Sequence, residues 1–170
     1  EGVFYESVNF AIVRKLPVIF ICENNSYSVY SPLKPRQPKN RKIYEMVKGL
    51  GIASEYFDGQ NILECFNGFK SAYENVLKNK LPYFLEFSTY RWREHCGPNF
   101  DDDLGYRDDE EIKNWIENCP LKKIELDLEI DKDDVEKVKS IIDKEVLDCF
   151  CEAENAPFPN QDDAYNDIYA

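Results

Sequence analysis

Apolar side chains recur at helical spacing over the first fifteen residues (Val3, Phe4, Val8, Phe10, Ala11, Ile12), which predicts an amphipathic helix broken at Leu16-Pro17. Val18-Ile19-Phe20-Ile21-Cys22 follows as a continuous apolar run. Such a run predicts a strand buried on both faces, as in a parallel sheet covered by helices. Residues 23–40 form a long loop with three prolines, and long loops leaving a central parallel strand are where α/β proteins bind ligands. A short helix is expected over 43–50, closed by glycines, and a second strand over 54–57 before the turn Asp58-Gly59. Ile62, Leu63, Phe66, Phe69, Tyr73, Val76 and Leu77 lie on one helical stripe that stops at Leu81-Pro82. Residues 83–88 read as a third buried strand, and 89–107 as a second loop rich in Arg, Asp, Gly and Pro. Residues 108–119 read as a helix with carboxylates in its first turn, where they complement the helix dipole. Val135, Val138, Ile142, Val146 and Cys149 mark a long closing helix, and Ala156-Pro157-Phe158-Pro159 opens an extended tail.

This alternation implies an α/β fold: a parallel sheet with crossover helices. The first helix has no strand before it, so the sheet is expected to be incomplete and its N-terminal strands missing. A chain that opens at Glu1-Gly2 without Met reads as a cut through a larger protein.

Composition narrows the classes. With 43% hydrophobic and 14% aromatic residues, the 170-residue chain can bury one core. The net charge of -12 argues against nucleic acid, whose phosphates call for clustered Lys and Arg. Residues 34–48 are locally basic, and 101–111 and 125–136 carry most of the excess carboxylates. There is no polybasic segment for a membrane surface, and no apolar run approaches the roughly 18 residues of a span. The six cysteines include no Cys-x-x-Cys pair, which favours reduced, packed thiols over a disulfide framework. A single histidine excludes a His-rich metal site.

Two stretches carry candidate chemistry. Glu23-Asn24-Asn25-Ser26-Tyr27-Ser28 follows the first strand. An amide side chain and a main-chain carbonyl there are hard oxygen donors suited to Mg²⁺, although Asn-Asn after a strand is by itself an ordinary turn. Thr89-Tyr90-Arg91-Trp92-Arg93-Glu94-His95-Cys96-Gly97-Pro98-Asn99, then Gly105-Tyr106-Arg107, holds the sole histidine on a loop bounded by Gly and Pro. From the residues alone, His95 is a catalytic group or a surface loop position.

Together these stretches resemble the alpha subunits of thiamine-diphosphate-dependent 2-oxo acid dehydrogenases, of the pyruvate, acetoin or branched-chain type. There a Gly-Asp-Gly precedes a helix opening with Glu-Gly-x-Phe, matched here by Glu1-Gly2-Val3-Phe4. An apolar strand then ends in Glu-Asn-Asn-x-Tyr, and a later loop runs Thr-Tyr-Arg, Gly-His-Ser, Tyr-Arg. The Gly-Asp-Gly is expected just upstream of Glu1. Asp58-Gly59-Gln60-Asn61 resembles the turn before the family's last crossover helix, and 152–159, continuing to near Tyr169, its C-terminus.

The resemblance implies a thiamine-diphosphate-binding fold. Residues 1–107 would be the C-terminal part of its diphosphate-side domain, and 108–170 a helical extension and tail. It implies thiamine diphosphate and Mg²⁺ as cofactors, with Asn25 and Tyr27 as metal and cofactor ligands and Ser28 lining the diphosphate. His95 is implied as the catalytic histidine that hydrogen-bonds substrate. Arg91 and Arg107 are expected to brace the loop through carboxylates at 101–103. The implied reaction decarboxylates a 2-oxo acid and passes its acyl or aldehyde unit to an acceptor. The implied partners are a transketolase-like beta subunit in an α₂β₂ assembly, a lipoyl acyltransferase, and a small 2-oxo acid or ketone. The compartment is expected to be the cytoplasm, with the mitochondrial matrix or a plastid left open. The alternatives are another thiamine-diphosphate enzyme, transketolase-like or acyloin-type, or a non-catalytic assembly subunit. Glu94 and Cys96 depart from the family's Gly and Ser. A carboxylate beside the histidine opposes an anionic substrate, and Cys96 lacks a second histidine to activate it as a nucleophile.

Overall fold

A computed structural model describes residues 2–166. Helix α1 (Gly2–Arg14) ends where Lys15 turns left-handed (φ 52°) ahead of Leu16-Pro17. Strand β1 (Ile19–Asn24) leads into a loop that contains a two-residue hairpin, β2 (Tyr27–Ser28) and β3 (Ser31–Pro32). Helix α2 (Ile43–Lys48), strand β4 (Ala53–Asp58), helix α3 (Ile62–Asn79) and strand β5 (Tyr83–Ser88) complete the core. The Asn61 side chain caps α3 by accepting from Glu64 N at 3.1 Å, and Lys80 closes it in the left-handed region (φ 54°).

The three longer strands form one parallel sheet in the order β1-β5-β4, with Ile19 and Ala53 both level with Tyr83. Helix α3 is the crossover between β4 and β5. Both faces of β5 are covered, because alternate residues point to opposite sides. Phe84 packs with Val8, Val47 and Ile52 of the α1–α2 side. Tyr83, Leu85 and Phe87 pack with Ala72 and Val76 of α3. Gly68 lets α3 lie on β4, since a Cβ there would meet the Phe57 ring at 2.7 Å.

The expected α/β architecture is present, with two corrections. The first strand is not buried on both faces: Phe20 and Cys22 lean on the α1–α2 core, but Ile21 is 51% exposed on the opposite side. The fully covered strand is β5, because helices pack on both of its faces and strands flank both of its edges. The stretch after 119 is also more ordered than its sequence implied. Pro120, tolerated at a first helical position, opens helix α5 (Pro120–Asp127). The tail likewise contains a 3₁₀ turn, Gln161–Tyr165. The expected matches at Glu1 and Tyr169 lie outside the described residues.

By its internal packing the chain divides into two compact units, the first ending at Asp127 and the second beginning at Leu128. The first unit therefore includes α4 (Asp109–Glu117), capped by the Asp108 carboxylate, as well as α5. Helix α6 (Lys132–Asn155) dominates the second. Among the described residues no helix is long and apolar enough to cross a membrane.

Candidate functional site

The carboxyl ends of β1 and β5 open into the two loops singled out above. At the end of β1 the chain turns twice. Asn24 Oδ1 accepts from Ser26 N and Asn25 Oδ1 accepts from Tyr27 N, each at 3.0 Å. These side chains imitate a backbone turn and hold the next amides in place. Ser26 (φ 63°) and Val29 (φ 54°) both sit in the left-handed region, uncommon for any residue but glycine and most costly for the β-branched Val29. Strain of this kind concentrates where function demands a particular geometry.

Asn25, Tyr27 and Ser28 are thus brought together on one turn, with Asn25 and Tyr27 half-buried and Ser28 exposed. Asn25 Oδ1 uses one lone pair on Tyr27 N and keeps the other. Pro32, the register partner of Tyr27, has no N–H to offer the Tyr27 carbonyl. Two neutral hard oxygens on one turn fit Mg²⁺ as part of an octahedral set. Among the described residues no cluster of three or more His, Cys, Asp or Glu offers a rival metal site.

The turn is anchored to the second loop and to α4. Tyr27 OH donates to Glu111 Oε2 at 2.6 Å, and its ring meets Tyr106 edge-on at 5.6 Å. Burial and then this hydrogen bond push the Tyr27 phenol well above its ordinary range, so it remains a donor. Arg91 Nη2 donates to Val29 O at 3.3 Å and to Tyr106 OH at 2.9 Å, and Tyr106 OH donates to Asp101 Oδ2 at 2.7 Å.

Buried Arg107 pairs with the Asp101 carboxylate and, at 2.9 Å, with Asp102; it also donates to Arg91 O. The bracing expected of Arg91 and Arg107 is therefore present, through residues 101 and 102. Tyr90 stacks on Trp115 at 5.1 Å, and burial pushes its phenol up to about 12. Tyr90 OH and Arg107 Nε are buried without a hydrogen-bond partner among the described residues.

His95 lies on an exposed segment that closes on itself. Glu94 N donates to Asn99 O at 2.8 Å, while Glu94 Oε1 accepts from Asn99 Nδ2 at 2.9 Å and from Asn99 N at 3.3 Å. Arg93 donates to Pro98 O at 2.9 Å and lies 3.9 Å over the Phe100 ring. The Glu94 carboxylate covers Gly97 so closely that a Cβ there would stand 2.4 Å from Oε1. Glu94 is thus committed to the loop's own backbone. His95 makes no hydrogen bond to Asn25, Tyr27 or Ser28 among the described residues.

A sequence model described as "Dehydrogenase E1 component" matches residues 1–162. The chain belongs to that family. It is 34% identical over 173 residues to the pyruvate dehydrogenase E1 component subunit alpha of Rickettsia typhi, covering 99% of this chain and 52% of that protein. It is 33% identical over 178 residues to the 2-oxoisovalerate dehydrogenase subunit alpha of Bacillus subtilis, covering 100% of this chain and 52% of that one. The alpha subunit of the Zymomonas mobilis pyruvate dehydrogenase E1 component is 33% identical over 172 residues, 99% of this chain and 48% of that protein. The chain thus spans about half the length of these curated relatives of the E1 family.

Two residues of this E1 chain that hold the site went unread in its sequence. Glu86 and Glu111 anchor the β1 turn from elements 62 and 84 residues away along the chain. Glu86 had a visible signal, a lone carboxylate inside the apolar run 83–87. Glu111 had none, because acidic residues are ordinary in a helix's first turn.

Proposed function

We propose that this chain is the cofactor-anchoring and histidine-bearing part of an alpha subunit of a thiamine-diphosphate-dependent 2-oxo acid dehydrogenase. The observation that carries the reading is the strained Asn25-Ser26-Tyr27 turn, which presents two neutral oxygens at a sheet's carboxyl end and is tied to the His95 loop through Arg91. The substrate is a 2-oxo acid, which loses carbon dioxide while its acyl or aldehyde unit passes to an acceptor such as a lipoyl group.

Asn25 Oδ1 and the Tyr27 carbonyl are the Mg²⁺ ligands in this reading, and Ser28 lines the diphosphate. When bound, thiamine diphosphate supplies the nucleophilic carbon that adds to the keto group. His95 donates a hydrogen bond to the substrate oxygen and moves a proton there, a role its exposed position leaves open to a ligand. The partner is a beta subunit, which the words "subunit alpha" in the names of the curated relatives support, and the assembly we propose is α₂β₂. We take the compartment to be the cytoplasm, the matrix or a plastid being alternatives, on the ground that the six cysteines include no Cys-x-x-Cys pair. Cys22 is no rival centre: burial, then Glu86 and Glu23, push its thiol up to about 11.

The natural polypeptide, with its partner subunit, is to be unfolded thermally with Mg²⁺ and thiamine diphosphate, with and without a chelator. A ligand that binds only the folded state raises the midpoint, so a chelator-sensitive rise is expected. Asn25→Ala should remove it. A rise that survives the chelator, or survives Asn25→Ala, overturns the assignment.

A further inference from the structure

Glu86 is a carboxylate at the centre of the most buried strand, 3% exposed and flanked by Leu85 and Phe87. Burying such a group is costly unless its oxygens are bonded. Each of them is. Oε1 accepts from Asn24 Nδ2 and Oε2 accepts from Tyr44 N, both at 2.8 Å. The two donors belong to different elements. Asn24 is the last residue of β1, and its other side-chain atom, Oδ1, starts the turn by accepting from Ser26 N. Tyr44 is the second residue of α2, whose N-cap, Lys42, makes no side-chain cap bond. Glu86 therefore supplies from β5 the cap that α2 lacks, and the same carboxylate orients the Asn24 amide.

Among the described residues no cation pairs with this carboxylate. Arg41 and Lys42 line the same cavity of about 380 Å³, but Arg41 donates to Gln37 and Lys42 pairs with Glu45. Ser54 Oγ, on β4, donates to Tyr44 O at 2.8 Å and holds α2 from the other side. The chain of contacts β5–Glu86–Asn24–Ser26 runs from the rigid centre of the sheet to the left-handed residue between Asn25 and Tyr27.

We infer that Glu86 is a positioning residue for the metal-binding turn: by fixing which way the Asn24 amide faces, it sets the Ser26 backbone and so the spacing of the Asn25 and Tyr27 oxygens. The inference rests on the reading of that turn given above. Groups that orient metal ligands without touching the metal commonly change affinity by about tenfold or more when altered.

Hydrogen-bond polarity provides the test. Glu86→Gln leaves one acceptor oxygen for two donors, and Asn24→Asp sets two carboxylates face to face. Combined, they restore a matched pair: the Gln nitrogen donates to the new carboxylate, while its oxygen keeps Tyr44 N and the other carboxylate oxygen keeps Ser26 N.

In the natural protein with its partner and saturating thiamine diphosphate, each single variant should raise the half-saturating Mg²⁺ concentration by about tenfold. The double variant should return toward wild type, a coupling that independent effects would not produce. A purely structural role would lower the unfolding midpoint and leave Mg²⁺ half-saturation unchanged. That result, or a double variant no better than the sum of its parts, overturns the inference. Amide exchange at Ser26 and Tyr27, with no cofactor present, tests it separately. It should accelerate in Glu86→Gln and recover in the double variant, and no change overturns the inference. If wild type shows no Mg²⁺-dependent binding, the functional reading fails and the exchange result alone decides on Glu86.

Discussion

The turn at 24–28 and the loop at 93–100 are both short polar segments beyond the carboxyl ends of strands in one sheet, but they are held in opposite ways. The turn borrows its rigidity from afar, from Glu86 on β5, Glu111 on α4 and Arg91 on the facing loop. The histidine segment supplies its own, through a Glu94–Asn99 clasp and an Arg93–Pro98 bond that both span five residues. A segment held by distant anchors has its geometry imposed by the fold and feels changes anywhere in the sheet. One clasped locally moves as a unit and feels changes only within itself.

The largest effect should come from the buried pair behind Arg91, the turn's anchor on the facing loop. Arg107→Ala removes the buried cation paired with Asp101, which keeps the Tyr106 hydroxyl and Arg91 at 3.7 Å, so the loss should be about 3 kcal/mol, the low end for broken buried pairs. Chemical unfolding should show a fall of that size, and a value near zero would mean that the pair carries no stability. His95→Ala should cut turnover at least about tenfold while sparing Mg²⁺-dependent cofactor binding. Unchanged turnover would reduce His95 to a surface residue.

Gly97→Ala, which drives a Cβ against the Glu94 carboxylate, should lower turnover less than His95→Ala and leave Mg²⁺ half-saturation untouched. A shift in Mg²⁺ affinity there would break the contrast between the two segments. Tyr27→Phe removes the hydroxyl that donates to Glu111 and should cost the smallest amount, about 1–3 kcal/mol of stability. It should also loosen the 24–28 turn without altering amide exchange at residues 94–99.

How much of this was legible follows from the same contrast. The strands were readable because residues 18–22 are a continuous apolar run, β5 is apolar from 83 to 87 but for Glu86, and α3 carries a full helical stripe. Their unequal burial was not readable, since cover depends on which helices reach which strand; Ile21 differs little from Leu85 as a letter. Helix α5 escaped because its apolar residues are spaced among lysines over only eight positions. In the candidate site, Asn25, Tyr27, Ser28 and His95 could be named from adjacency in a motif, and their roles rest on the proposal above. The anchors of the β1 turn lie 62 and 84 residues from Asn24 and Tyr27, and only the folded chain brings them close.

The clasp around His95 has a consequence for handling the protein. Proteases draw an extended stretch of backbone into their clefts, so an exposed loop is cut only as fast as it can straighten. Residues 94–99 cannot straighten while the Glu94 carboxylate holds both the main-chain and side-chain nitrogens of Asn99. The most conspicuous loop of the first unit should therefore resist nicking at the His95-Cys96 bond, and become sensitive when Glu94 is exchanged for a residue that cannot reach across.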